Sequence, residues 1–181
     1  MQENLFASPF TARFSDVQYA VTLSEKGSIM TPDRRTVIGR VFPTVTYRLS
    51  EEDINDYLPV AEETHPAFMS NDAARAAGYE RRVIPPSFAP YISIIGLLRA
   101  FDWEKDFYLD YKTGTAMFGE QELEYLRPLY VGETLTIRSS VADVYEKQGK
   151  RPFDVAQVQF SVTDEQGLVA IRGMQSYILF K

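Results

Sequence analysis

The only histidine of the chain, His65, follows two adjacent carboxylates, Glu62 and Glu63, and precedes Pro66. An imidazole titrates near neutral pH, and a neighbouring carboxylate can hold it in the range that proton transfer needs. The same pattern also fits a polar loop whose histidine faces solvent or caps a helix predicted over 71–77. The sequence therefore offers Glu63 and His65 as candidate acid–base residues. Glu62 is an alternative carboxylate, because sequence position alone does not distinguish it from Glu63.

Composition excludes several other kinds of chemistry. The chain has 181 residues, enough for one domain with a substantial core, and 45% of them are hydrophobic. It contains no cysteine, which removes thiolate catalysis, disulfides and cysteine-ligated metals, and a single histidine excludes a His-rich metal site within the subunit. The formal net charge of −6 gives no surface for neutralising phosphates, so nucleic acid is not an expected partner.

Two short basic clusters, at Arg81-Arg82 and at Lys147 to Arg151, are interpreted as solvated turns rather than phosphate contacts. The N-terminus has no basic segment followed by an apolar run, and no window reaches the ~18 apolar residues of a membrane span. We therefore expect a cytoplasmic protein that does not associate with membranes.

Two short helices are predicted on either side of the loop that carries the histidine. VFPTVTYRLS (41–50) alternates and is β-branched, which predicts a strand before the first helix. Ser50 is a predicted N-cap for EEDINDYL (51–58), whose first-turn carboxylates suit the helix dipole. Beyond the loop, SNDAARAAG (70–78) predicts a second helix that ends at its glycine.

The stretch PPSFAPYISIIGLLRAF (85–101) predicts the central helix. Prolines suit its first turn, and large apolar side chains then cover nearly every direction, as expected of a buried helix. Gly96 would let another element pack closely. Because the two prolines lack an N–H, the first free amides at the positive end of this helix are expected at Ser87 and Phe88, where they could hold an anionic oxygen.

The rest of the chain predicts β-structure. Four long extended runs are expected over 114–130, 133–147, 153–163 and 168–180. Turn residues mark the last two junctions, and consecutive strands joined by short turns predict an antiparallel meander. The expected fold class is α+β, with a curved antiparallel sheet of about five strands around one long buried helix. Residues 1–36, with a possible strand over 17–24, are treated as an N-terminal extension, and 37–181 as one domain.

The order of these features resembles the MaoC-like hot-dog family, in its fatty-acid-synthase-type dehydratase branch. The matching features are the acidic Pro-containing loop, the Ala-rich helix ending in Gly78-Tyr79, the Pro-Pro-Ser-Phe helix start, and Arg127-Pro128 followed by Gly132 to Leu135. GEQELEYLRPLYVGETL resembles that branch closely, and the likeness runs from about Ile38 to Lys181. The resemblance implies a hot-dog fold.

The resemblance also implies a reaction, in which water is added to or removed from a 2-enoyl/3-hydroxyacyl chain carried on coenzyme A or acyl carrier protein. The chemistry needs a base, an acid and donors for the thioester oxygen, with no cofactor. Active members place Asp, one residue, Asn-Pro, one residue and then the catalytic His, a pattern that falls here on Glu63, His65, Pro66 and Phe68. The carboxylate is kept, but the imidazole is replaced by the ring of Phe68.

Three hypotheses follow from the resemblance. The first is an enoyl-CoA hydratase or 3-hydroxyacyl-thioester dehydratase in which Glu63, with or without His65, activates water, while Phe68, Ser87 and Phe88 contact the substrate. The second is a non-catalytic acyl-thioester-binding subunit whose partner carries the complete acid–base pair. The third is a hot-dog thioesterase. Since the family joins sheet edges across a two-fold axis, a homodimer or a heterodimer with another hot-dog subunit is expected.

Overall fold

The computed structural model describes residues 33–102, 106–109 and 116–180. Five strands in these ranges form one antiparallel sheet. They are β1 (Val45–Arg48), β2 (Ala116–Tyr125), β3 (Thr134–Lys147), β4 (Phe153–Thr163) and β5 (Val169–Phe180). The five predicted strands of the domain are therefore confirmed, whereas the strand expected over 17–24 lies outside the described residues.

Three α-helices precede the long strands. They are α1 (Glu51–Val60), α2 (Asn71–Ala76) and α3 (Ala89–Ala100). The predicted caps are present, because the Ser50 side chain accepts the Asp53 N–H at 3.0 Å and the Ser70 side chain caps α2. No helix within the described ranges is long and apolar enough to cross a membrane.

The strand order is β1-β3-β4-β5-β2, so the predicted meander holds only for β3, β4 and β5. The expectation that β2 would continue it is wrong, because β2 pairs with β5 and forms the opposite edge of the sheet from β1. The segment between β2 and β3 is held elsewhere: Leu129 O accepts the Ile84 N–H at 3.0 Å, and the Val131 N–H donates to Arg82 O at 3.0 Å. These two hydrogen bonds hold the segment between β2 and β3 beside residues 82–84 before β3 begins.

Helix α3 packs against the inner face of the sheet, which gives the predicted α+β arrangement. A Cβ added at Gly96 would lie 2.6 Å from the Ile137 side chain on β3, so the predicted close approach is present. Ile92 and Leu97 are buried, but Leu98 is 40% exposed. The helix is thus less completely buried than its composition predicts, since the sheet covers only one side of it.

A buried polar cluster fixes α3 to two strands. The Ser93 hydroxyl donates to Pro90 O at 2.8 Å and accepts Nε2–H bonds from Gln121 of β2 at 2.7 Å and Gln175 of β5 at 2.6 Å. Buried polar groups are stable when every partner is satisfied in this way. The cluster also sets which residues of β2 face inward, because side chains alternate along a strand.

Candidate functional site

The loop that carries Glu63 starts at the C-terminus of α1. Glu62 lies in the left-handed region, with φ of 53°. Its N–H donates to Pro59 O at 3.4 Å, and the N–H of Glu63 donates to Leu58 O at 3.0 Å. This pair of bonds is a Schellman motif, which ends the helix at a defined residue. The motif therefore also fixes the point at which the Glu63 side chain leaves the backbone.

Glycine is the residue best suited to the position of Glu62, because a Cβ is disfavoured in the left-handed region. Glu62→Gly is therefore expected to raise the free energy of unfolding, measured by urea denaturation, by up to about 1 kcal/mol. As a control, Glu52→Gly places glycine inside α1 and should lower it by about 0.5–1 kcal/mol. A loss of stability in Glu62→Gly would show that its conformation is not strained.

A hydrogen bond joins the loop to the start of the central helix. The Ser87 hydroxyl donates to Glu63 Oε1 at 2.5 Å. Glu63 is half-buried, whereas the alternative carboxylate, Glu62, is exposed. The acidic loop therefore meets the start of the central helix, as the hypothesis that places Glu63 and Ser87 in one site requires, and it is Glu63 that reaches Ser87.

The amides at the helix start differ from the prediction. Residues 86–88 form a 3₁₀ turn in which the Phe88 N–H donates to Pro85 O at 2.9 Å. The predicted free N–H at Phe88 is therefore wrong, because the tight i→i+3 turn uses it. The Phe88 ring is buried and packs edge-on against Tyr57, with centroids 4.9 Å apart. The Ser87 N–H has no acceptor among the described residues and remains a candidate donor.

His65 caps a short 3₁₀ turn over Pro66–Phe68. Its Nδ1 accepts the Ala67 N–H at 3.3 Å, so a neutral ring carries its proton on Nε2. The side chain is exposed, and its ring centroid lies 5.2 Å from that of Phe68. The alternative that His65 caps the helix predicted over 71–77 is wrong, because Ser70 caps that helix.

A cavity of about 190 Å³ lies between the loop, the helix start and the end of β2. Its lining is mostly apolar, and it consists of His65, Phe68, Tyr79, Val83, Ile84, Pro85, Pro86, Ala89, Tyr125, Arg127, Pro128, Leu129 and Ile171. Of the five predicted site residues, His65 and Phe68 line this cavity, while Ser87 follows its wall residue Pro86. The described residues contain no group of three His, Asp or Glu side chains that could hold a metal ion.

Sequence reasoning missed Tyr125, at the end of β2. Its hydroxyl donates to Pro86 O at 2.7 Å and so ties β2 to the helix start. Burial, and then the nearby Tyr57, raise the pKa of Tyr125 above its ordinary value, which keeps the hydroxyl protonated as a donor. The signal that could have found it is strand alternation, because Tyr125 lies an even number of residues from Gln121 and shares its inward face.

Arg82 was predicted to lie in a solvated turn, and that prediction is wrong. The residue is only 8% exposed. Its guanidinium donates to Phe68 O at 2.6 Å and to Asn55 Oδ1 at 2.7 Å, and its backbone N–H donates to Asn71 Oδ1 at 2.8 Å. Arg82 therefore ties the loop to both flanking helices. The neighbouring Arg81 is about half exposed and lies over the Tyr130 ring. The two adjacent arginines therefore differ in burial only because of tertiary packing.

The chain is similar to known proteins in sequence and in fold. Residues 36–172 match the family described as the FAS1-like, dehydratase domain region. A UPF0336 protein of Streptomyces griseus is 27% identical over 145 residues, which cover 80% of this chain and 93% of that protein.

Two solved structures have a similar fold. The HadBC (3R-hydroxyacyl-ACP dehydratase) complex of Mycobacterium tuberculosis superposes with a TM-score of 0.64 at 20% identity, over 78% of this chain and 96% of that one. The (R)-hydratase of A. caviae involved in PHA biosynthesis gives a TM-score of 0.60 at 16% identity, with the same coverage of 78% and 96%. The predicted hot-dog fold is thereby confirmed, and the chain belongs to the FAS1-like dehydratase domain family.

Proposed function

We propose that this chain is the acyl-thioester-binding subunit of a hydro-lyase that acts on 2-enoyl/3-hydroxyacyl thioesters of coenzyme A or acyl carrier protein. In this proposal the cavity holds part of the acyl group, and a second hot-dog chain supplies the acid–base pair. The observation that carries the proposal is the position of Phe68, whose ring lines the cavity where the pattern of active members has the catalytic imidazole.

The chemistry of the cavity supports binding more than proton transfer. Its mostly apolar wall suits an acyl chain, since small-molecule sites are largely apolar with a few polar groups that fix orientation. The Ser87 N–H, at the helix start beside it, is a candidate donor to the thioester oxygen. Phe68 can neither take nor give a proton, and Nδ1 of His65 is already bonded to its own turn. Within the part of the chain that the structure describes, the imidazole therefore has no carboxylate partner.

One structural relative supports a partner chain. HadBC is a complex, and it is a 3R-hydroxyacyl-ACP dehydratase. A division of labour in which one hot-dog chain binds the acyl group and the other performs proton transfer would account for Phe68 in this chain.

Purified protein tests this proposal directly. The wild-type chain alone should bind a 2-enoyl-CoA in calorimetry without changing the ultraviolet absorbance of the enoyl thioester. A hot-dog chain that co-purifies from the source organism, identified by native mass spectrometry, should restore the absorbance change when added. Failure to bind any short, medium or long 2-enoyl-CoA would contradict the proposal. Release of free thiol would indicate a thioesterase instead.

A self-sufficient hydratase is the second candidate, and the bond between Glu63 and Ser87 favours it. In that reaction Glu63 would take a proton from the water whose oxygen bonds to C3 of the enoyl chain, the C2–C3 double bond would become a single bond, and Glu63 would return the proton to C2. Any turnover by the chain alone should then fall at least about 100-fold in Glu63→Gln. Glu62→Gln is the matched control and should leave turnover unchanged, because Glu62 is exposed and does not reach the helix start.

A further inference from the structure

The inner faces of β2 and β5 form three successive layers that run inward from the cavity. The layers are the cross-strand pairs Tyr125 with Ile171, Leu123 with Gly173, and Gln121 with Gln175. Side chains alternate along a strand, so residues at every second position share one face. The first pair belongs to the cavity wall, and on α3 the wall residue is Ala89. The two deeper layers therefore decide how far the cavity can extend between α3 and the sheet.

The middle layer closes the cavity with two packed side chains. Leu123 is half-buried and packs against the core cluster around α3, to which the buried Phe160 belongs. Gly173 has no side chain, but a Cβ placed there would lie 3.0 Å from the Phe160 ring, so that ring fills the adjacent space. Among the described residues, the cavity wall includes neither Leu123 nor Phe160. An acyl chain in the cavity would meet these two side chains at its far end.

The third layer is polar and lies beneath Leu123. Ser93 is about one turn of α3 beyond Ala89, is 1% exposed, and accepts the Nε2–H bonds of Gln121 and Gln175 at 2.7 and 2.6 Å. Oε1 of Gln175 accepts a hydrogen bond from the Tyr177 hydroxyl at 2.6 Å. An apolar chain that reached this layer would separate these buried partners, and a buried polar group without a partner is costly. The polar layer is thus a second obstacle to a long acyl chain.

The volume of the cavity sets the size of the acyl group that fits above these layers. The cavity measures about 190 Å³. At about 30 Å³ for each water-sized group, it has room for roughly six carbon-sized groups. The thioester belongs at the opposite end from Leu123, because the candidate donor, the Ser87 N–H, lies at the start of α3.

We propose that the site takes short 2-enoyl groups of about four to six carbons, and that Leu123 and Phe160 set this limit. The inference rests on the proposed function, because it takes the cavity as the acyl site. Leu123 and Phe160 are then specificity-determining residues that contact the end of the acyl chain and have no part in proton transfer.

A series of 2-enoyl-CoA probes with four, six, eight and ten carbons tests the limit by calorimetry on the wild-type chain. Each buried methylene tightens binding about fourfold, so the dissociation constant should fall by about tenfold or more from four to six carbons. It should then rise at least about tenfold from six to ten carbons, because overfilling a packed space is unfavourable. A dissociation constant that keeps falling through ten carbons would overturn the inference.

The variant Leu123→Ala tests the middle layer. It removes three carbon atoms, so the eight-carbon probe should bind at least about tenfold more tightly than it does to wild type. The ten-carbon probe should gain less, because the polar layer remains, and an equal gain would show that the polar layer is no obstacle. Leu123→Val, a smaller change that suits a strand, should shift the profile in the same direction if Leu123→Ala does not fold.

The matched control is Leu98→Ala. Leu98 lies near the other end of α3 and is 40% exposed, so its truncation should leave the chain-length profile of wild type unchanged. A folded Leu123 variant with the wild-type profile would overturn the inference, as would an equal shift in Leu98→Ala.

The same probe series separates this inference from the proposed function. Wild type that binds none of the four probes would reject the proposed function, and the chain-length limit with it. Wild type that binds all four probes with steadily rising affinity would reject the chain-length limit alone.

Discussion

The variant Phe68→His is expected to hydrate 2-enoyl-CoA without a partner, at a rate at least about 100-fold above that of the wild-type chain. Residue 68 lines the cavity, and an imidazole there would stand five residues from Glu63, as in the pattern of active family members. General acid–base catalysis typically contributes factors of about 10²–10⁴, so a restored pair should be visible in the ultraviolet assay. Calorimetry of the same variant should show that binding of the thioester is retained.

Two controls decide whether the gain comes from proton transfer. Phe68→Leu changes the shape of the cavity without adding a titratable group and should remain inactive. Phe68→His combined with Glu63→Gln should lose the gain, because the imidazole would then lack its carboxylate. A folded Phe68→His variant that binds 2-enoyl-CoA and does not turn it over would mean that residues 63 and 68 do not form a working pair in this chain.

Replacement of Arg82 is expected to have the largest effect on stability. Arg82→Met removes two hydrogen bonds that the buried guanidinium donates, to Phe68 O and to Asn55 Oδ1. A hydrogen bond from a charged group contributes about 1.5–3 kcal/mol, and the exposed Asn55 amide can bond to water instead, so we expect a loss of about 2–4 kcal/mol in the free energy of unfolding. The loop that contains Phe68 should also be less well positioned, because Arg82 no longer bonds to it. The folded protein should therefore bind 2-enoyl-CoA more weakly than wild type does.

The adjacent arginine provides the matched control. Arg81→Met removes the same charge from an exposed side chain that lies over Tyr130 and 3.5 Å from Glu133, contacts worth about 1 kcal/mol or less at a surface. Urea denaturation of the two variants should therefore separate them by well over 1 kcal/mol. Equal losses would show that the bonds of Arg82 contribute no more than an exposed contact.

Local chemistry was enough to predict most elements and their ends. The predicted run over 153–163 coincides with β4, and Ser50 caps α1 as expected. The hypothesis that Glu63 and Ser87 belong to one site requires the acidic loop to meet the helix start, and the hydrogen bond between these two residues has that geometry. These features depend on residues that are close together in the sequence, or on an order of motifs that is typical of one fold.

The features that could not be predicted depend on contacts between distant residues. A tight turn over 130–133 precedes β3, but the neighbouring backbone of Leu129 and Val131 bonds to residues 84 and 82, and β2 pairs with β5 rather than with β3. The N–H of Phe88 is used by a 3₁₀ turn that the two prolines do not by themselves specify. No local pattern distinguishes Arg82 from Arg81, since only the packing of two helices around the loop buries one of them.

The sequence by itself therefore determined the strands and the capped helices, because neighbouring residue types specify them. The hot-dog order of elements and the phenylalanine in place of the imidazole followed from the resemblance to a known family. Only the tertiary structure decided which carboxylate meets the helix start and which amide there has no acceptor among the described residues. Those outcomes depend on where separate segments come together, and a chain's local preferences do not specify that.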